Sequence, residues 1–254
     1  MLRQNQLKQK IGNSETVYGI ICSIPAPAMI ELIAEAGYDF VIIDMEHVLI
    51  NPETIENMIR TAESYSITPL VRVADFNEKT ILRLLDGGAQ GIVLPNVKNA
   101  TEVLNAIQAC KYHPVGHRSL NAGRPGSFGH QSLKQYIQKM NDEIMLIAMI
   151  ESATGVSNIE EIVSTEGLDM ILEGAADLSQ SLGVPWETSH PKVIDALQHC
   201  REAGKKGEIG YGVIPRTSQD HSTWKDEGMN VFVLGDERGT AFRALQTKID
   251  ILKR

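Results

Sequence analysis

The chain has 254 residues, 43% of them apolar and 5% aromatic, and 24 Lys+Arg against 32 Asp+Glu leave a net charge of −8. That much apolar material supports a deep core and excludes a disordered or low-complexity chain. The acidic balance argues against a general nucleic-acid binder or a protein of anionic membrane surfaces, while the length fits one large barrel or sandwich, or two small domains.

Residues 1–16 read as an N-terminal extension without the apolar core of a signal peptide. Nowhere do about 18 apolar residues run together, so the expectation is a soluble, cytoplasmic protein with no membrane contact. Short apolar runs then recur at 17–23, 38–44, 68–73, 91–95, 143–150, 168–174, 208–214 and 230–235. Most are continuous rather than alternating, as in a parallel sheet covered on both faces. Between them lie the amphipathic stretches Ala28–Ala36, Pro52–Ser64, Glu78–Asp86, Ala100–Cys110, Val156–Ser164 and Pro191–Ala203. Asn51-Pro52 and His190-Pro191 have the form of helix starts, with proline at the first helical position. Cys22, Cys110 and Cys200 stand far apart and imply no disulfide framework and no CxxC metal site.

Eight strands alternating with helices predict a single (β/α)8 TIM barrel over residues 1–254. A doubly wound sheet is the rival, but the first strand is followed by Ser23-Ile24-Pro25-Ala26-Pro27 and not by a glycine-rich phosphate turn. No nucleotide cofactor is expected for the same reason. One connection breaks the rhythm: residues 112–142, rich in glycine and carrying Arg118 and Arg124, form a long loop of the kind that is usually functional. Two arginines there, in an acidic protein, suggest anion capture at the active site. The last helix, Thr240–Lys253, has no strand after it and either closes the barrel or packs on a neighbouring subunit.

In a barrel the residues just past the strand ends share one pocket. Strand two ends in Asp44-Met45-Glu46-His47, strand three in Arg72, strand five in Glu151 and strand six in Gly174-Ala175-Ala176-Asp177. Glu151 and Asp177 offer two hard oxygen ligands for Mg²⁺ or Mn²⁺, with water or a chelating substrate completing the shell. Arg72 points a fixed fork at a carboxylate or enolate oxygen, or else is a buried ion pair with Asp44 or Glu46. His47 stands three residues after Asp44, whose carboxylate is placed to orient the imidazole. The backbone N–H groups around Ala176 and Asp177 suit a substrate carboxylate. Together the parts suit enolate formation from a 2-oxo acid. No lysine stands at a strand end, which disfavours a Schiff base.

The stretches AEAGYDFVIIDMEH (34–47), PLVRV (69–73), LLDGGAQGIVLPNV (84–97), MIES (149–152) and EGAADLSQSLG (173–183) resemble the HpcH/HpaI aldolase family, metal-dependent pyruvate aldolases related to citrate lyase β subunits. The resemblance implies a (β/α)8 barrel binding Mg²⁺, Mn²⁺ or Co²⁺, and a homo-oligomer, hexameric or dimer-based, that exchanges its last helix between subunits. It implies metal ligation by Glu151 and Asp177, enolate stabilisation by Arg72, an Asp44–His47 acid/base dyad, and a substrate carboxylate near Gly174, Ala175 and Ala176. Asp86 matches an acidic residue that in some relatives lies near a neighbouring subunit's active site. The chain departs from the family at Met149, at Glu173 and Ala175, and in RSLNAGRPGSFG (118–129), all expected in the pocket.

The stretches VYGIICSIP and RSLNAGRPG resemble a branch of the family, the citrate synthases of staphyloferrin B type siderophore biosynthesis. That resemblance implies condensation of oxaloacetate with acetyl-CoA, with Arg118 and Arg124 holding a second carboxylate or a CoA phosphate. An aldolase cleaving 4-hydroxy-2-oxo acids to pyruvate and an aldehyde is the alternative. A non-catalytic barrel that binds a 2-oxo acid is a third.

Overall fold

A computed structural model describes residues 4–130 and 132–253. Residues 1–3 of the expected extension, Gln131 of the long loop and Arg254 lie outside the described residues. The strands are β1 (Val17–Cys22), β2 (Phe40–Asp44), β3 (Thr68–Arg72), β4 (Gly91–Leu94), β5 (Met145–Ile150), β6 (Met170–Glu173), β7 (Gly210–Val213) and β8 (Val231–Asp236). All are parallel and follow chain order around a closed barrel, β8 pairing back with β1. The expected TIM barrel is therefore present.

Alternation along each strand separates two apolar layers. Phe40 and Ile42, Leu70, Met145, Ile147 and Met149, Met170 and Leu172, and Val231 and Val233 fill the barrel interior. Val41, Ile43, Val71, Ile92, Ala148 and Ile171 face outward against the helices. Gly19 makes room for Phe40, because a Cβ on Gly19 would lie 2.2 Å from the Phe40 ring, which is fully buried. Gly19→Ala is expected to destabilise the protein by about 1–3 kcal/mol through overpacking, measured by chemical denaturation.

The first helices are α1 (Gln6–Gly12), α2 (Pro27–Glu35), α3 (Pro52–Ser64), α4 (Glu78–Gly87) and α5 (Ala100–Cys110). Asn51 caps α3, its side chain accepting from Thr54 N–H, with Pro52 in the first turn as expected. Helix α1 gives the N-terminal extension a structural role. Leu7 is buried in the barrel interior, and its N–H donates to the Thr68 hydroxyl at 3.2 Å, so α1 closes the barrel where the strands begin.

The remaining helices are α6 (Leu133–Glu143), α7 (Ala153–Ser157), α8 (Ile159–Val163), α9 (Ala175–Ser181), α10 (Pro191–Lys206), α11 (Ser218–Asp226) and α12 (Glu237–Leu252). The single helix expected over Val156–Ser164 is two short ones, since Asn158 ends α7 and starts α8 with ψ 12°. Cys22, Cys110 and Cys200 are free and buried, and burial pushes each thiol up to about 12. Among the described residues, no helix is long and apolar enough to cross a membrane.

The long excursion does not stand over the active-site mouth of its own barrel. Each helix that follows a strand runs back toward the strand starts, so the C-terminal ends of α3 and α4 lie at the opposite face. There Arg118 pairs with Asp86 at 2.7 Å, Asn121 donates to Asp86 at 3.1 Å, and Arg124 pairs with Glu63 and donates to the Gly87 carbonyl. Asn141 and Tyr112 clasp the base of the excursion through two hydrogen bonds, and α6 then leads into β5.

Helix α12 is fastened only at its start. Glu237 is buried and accepts the N–H groups of Ser23 and Ile24, while Phe242, Leu245, Ile249 and Leu252 are exposed along the rest.

Candidate active site

The alternation that fills the barrel also builds the site. Continuing inward positions past the last apolar residue gives Asp44 after Ile42, Arg72 after Leu70, Glu151 after Met149, and Gly174 after Leu172. Four strands thus carry their chemistry at the C-terminal end of the interior, where the sequence reading put it.

Asp44 and Arg72 are direct neighbours in the β2–β3 register. The guanidinium meets the carboxylate with two contacts, Nε to Oδ1 and Nη2 to Oδ2, each 2.9 Å. Both groups are buried. Burial alone would push the Asp44 carboxyl up; the Arg72 hydrogen bond and charge, with the N–H groups of Glu46 and His47, outweigh it and hold it below the ordinary range. Arg72 Nη1 also meets Glu46 Oε2 at 3.1 Å and the Met149 sulfur at 3.9 Å. The Glu46 carboxyl is raised, because burial outweighs the Arg72 charge. Arg72 is therefore positioned by two carboxylates and leans on an apolar thioether.

Glu151 is buried, and its Oε2 accepts the Asn96 N–H at 2.9 Å. A Cβ on Gly174 would lie 2.4 Å from Glu151 Oε1, so only glycine leaves room for this carboxylate. Burial raises the Glu151 carboxyl to about 7, with Glu46 and Asp177 adding to the rise and Asn96 and Arg72 opposing it. Asp177 is exposed in the first turn of α9. Two oxygen donors, one of them raised to about 7 chiefly by its burial, form a donor set that fits a hard divalent cation. Among the described residues no group of three or more His, Cys, Asp or Glu converges as a closed metal cage, which leaves positions for water or substrate.

The Glu151 shift carries a stability consequence. A carboxyl raised in the folded state stabilises the fold below its ordinary pKa, and that contribution is lost as pH rises to about 7. Metal-free protein is expected to lose on the order of 3 kcal/mol between pH 4.5 and pH 8 from this group. Denaturation across that range should show the slope, and Glu151→Gln should flatten it.

The structure revises several expected roles. Asp44 does not orient the His47 imidazole: both its oxygens face Arg72, and His47 contributes only its backbone N–H, 3.5 Å from Oδ1. The carboxylate that faces the imidazole is Glu46, at 3.6 Å from Nε2. Arg118 and Arg124 are corrected as substrate ligands in this chain's own mouth, because they lie at the far face, where Arg118 Nη2 meets Asp86 and Arg124 meets Glu63 and the Gly87 carbonyl. Asp86 lies with them and outside this mouth. Glu173 points out of the barrel, since inward Leu172 precedes it; Ile214 N–H donates to its Oε1 at 3.0 Å. Sequence reasoning passed over Asn96, whose φ of 48° aims its N–H at Glu151. It also gave Glu46 no more than an ion-pair role, although the D-x-E-H spelling displays it.

The model of the HpcH/HpaI aldolase/citrate lyase family matches residues 20–244. The chain is 44% identical to a solved structure of the citrate synthase SbnG, with a TM-score of 0.91 over 97% of each chain. It is 30% identical to the 2-keto-3-deoxy-L-rhamnonate aldolase of Klebsiella pneumoniae, over 99% of this chain and 94% of that protein. A citrate lyase beta subunit from M. tuberculosis, complexed with oxaloacetate and magnesium, shares the fold at 17% identity and a TM-score of 0.59, over 88% of this chain and 92% of that one. Matched along almost its whole length, the chain belongs to the HpcH/HpaI aldolase/citrate lyase family and is an enzyme of its lyase and synthase type.

Proposed function

We propose that the chain is a citrate synthase, dependent on a divalent cation, that condenses oxaloacetate with the acetyl group of acetyl-CoA. The observation that supports this most is the greater likeness to a citrate synthase than to an aldolase along nearly the whole chain. Glu151 and Asp177 would hold Mg²⁺, or Mn²⁺ or Co²⁺ in its place; the distant citrate lyase relative complexed with oxaloacetate and magnesium supports such a cation. When bound, such a cation polarises the 2-oxo carboxylate of the substrate as a Lewis acid.

The chain's own residues supply the rest. Arg72, fixed by Asp44 and Glu46, donates a free N–H to the 2-oxo oxygen and stabilises the alkoxide formed there. The backbone N–H groups of Ala175 to Asp177, in the first turn of α9, orient the adjoining carboxylate. His47, beside the Glu46 carboxylate and open to the mouth, takes a proton from the acetyl methyl group. The resulting carbanion attacks the 2-oxo carbon to give citryl-CoA, and water then cleaves the thioester to citrate and free CoA. Met149 lies against Arg72 without a strong donor or acceptor, which leaves the guanidinium free to serve the carbonyl oxygen.

The aldolase likeness supports a second reading, cleavage of a 4-hydroxy-2-oxo acid to pyruvate and an aldehyde at the same site. Purified protein incubated with oxaloacetate, acetyl-CoA and Mg²⁺ should release free thiol and citrate in equal amounts. Pyruvate from hydroxy-oxo acids, with no thiol from acetyl-CoA, would replace the first reading by the second. The bare apolar face of α12 supports a homo-oligomer in which this helix packs on another copy. Asp86 is then available only to a second copy's mouth.

A further inference from the structure

Beside the mouth, between α10, α11 and the ends of β6 and β7, a second cavity of about 260 Å³ is lined by Ala175, Thr188, Ser189, Arg201, Arg216 and Thr217. Ala175 adjoins Gly174, the residue packed against Glu151, so the cavity starts one residue from the candidate active site. Among the described residues, neither the Arg201 nor the Arg216 side chain has a hydrogen bond or salt bridge; Arg201 stacks over the Trp224 ring at 5.8 Å, and both charges act on the buried Glu173 carboxylate without contacting it. The carboxylates in the same wall are engaged. Glu173 Oε1 accepts Ile214 N–H at 3.0 Å and its Oε2 faces the Tyr211 hydroxyl, while Asp220 Oδ2 accepts the N–H groups of Arg216 and Thr217 at 3.1 and 3.0 Å.

The rim continues through Thr188 and Ser189 to Trp186. That indole is 83% exposed, and its backbone is held at φ 65°, with its N–H donated to the Ser179 hydroxyl at 2.9 Å. Two guanidinium groups whose N–H donors make no hydrogen bond among the described residues, the Thr188 and Ser189 hydroxyls and a bare indole, in one run leading to the active-site mouth, make a chemical match for phosphates attached to a purine. Guanidinium forks bind phosphate oxygens, and an indole face stacks on a base.

We propose that this cavity and its rim bind the phosphorylated adenosine end of the acyl-CoA, with Arg201 and Arg216 on its phosphates and Trp186 against adenine. The inference rests on the acyl-CoA reading above. It also explains why Arg118 and Arg124, at the far face, are not needed for that task within the same chain.

The test is calorimetric CoA binding to the wild type, Arg216→Ala, Arg201→Ala and Trp186→Ala, beside rates with acetyl-CoA and with acetyl-pantetheine, which lacks the nucleotide. Each arginine variant should weaken CoA binding about tenfold and lower the preference for acetyl-CoA over acetyl-pantetheine by the same factor. Unchanged CoA affinity and unchanged preference in all three variants, in an enzyme that makes citrate, would overturn the inference and leave the citrate synthase reading standing. CoA binding lost in the variants of a protein that makes no citrate would support the subsite and overturn that reading. A wild type that neither binds CoA nor makes citrate overturns both.

Discussion

Glu151→Ala and Asp177→Ala are each expected to cut turnover by about a thousandfold or more while leaving the barrel folded. Both carboxylates stand at the strand-end face and, among the described residues, neither is committed to a protein cation by a salt bridge, so their removal takes away the proposed ligand oxygens without opening the core. The fold should tolerate the change for a physical reason. Truncating Glu151 leaves the Asn96 N–H without its acceptor, a cost of about 1–3 kcal/mol. It also relieves a buried carboxyl whose ionisation burial opposes, and at pH 8 the two effects offset each other. Steady-state rates at saturating Mg²⁺, with melting curves beside them, check both halves. Full activity in either variant would remove that residue from the site.

Arg72→Ala is expected to cost both stability and activity. The guanidinium is the partner of a carboxylate that is 1% exposed, and it is also the nearest cation to Glu46. Removing one member of a buried pair leaves the other unpaired, at about 3–5 kcal/mol. Loss of the group that faces the carbonyl oxygen should lower turnover by about 10²- to 10³-fold. Because Arg72 holds the Asp44 carboxyl below its ordinary range, its stabilisation of Asp44 is full above that range and disappears as pH falls through the lowered value. The stability gap between wild type and variant should therefore close in acid. Arg72→Lys keeps a charge but cannot reproduce the two-pronged contact, and should fall between the two. Equal stability of Arg72→Ala and wild type at pH 7 would show that the pair does not hold the site.

Much of the architecture is legible in the residues, because a strand buried on both faces reads as an unbroken apolar run and a barrel needs eight of them. Its borders are less legible. The apolar run at 38–44 includes Asp39, but β2 begins at Phe40 and the Asp39 side chain serves Lys10 and the Tyr18 N–H at the strand-start face, a partnership with a helix and a strand far back in the chain. The candidate site follows from parity: Ile42 to Asp44, Leu70 to Arg72, and Met149 to Glu151 each step along one face. The same parity turns Glu173 outward, a consequence that the family departure at this position concealed. What spacing cannot reveal is which of several partners a charged group takes. Three residues separate Asp44 from His47, which suggests a dyad, yet the β2–β3 register sets Arg72 opposite Asp44 and claims both its oxygens. Likewise Arg118 and Arg124 look unpaired in a glycine-rich stretch; their partners, Asp86 and Glu63, stand at the ends of helices placed by the closing of the barrel.

A cation site formed by Glu151 and Asp177 opposite Arg72 is open to titration with Mn²⁺ followed by electron paramagnetic resonance. Saturable binding of one Mn²⁺ per chain is expected above pH 7, weakening as Glu151 takes up its proton below about 7, and lost in Asp177→Ala. Binding of equal strength in wild type, Glu151→Ala and Asp177→Ala would contradict it.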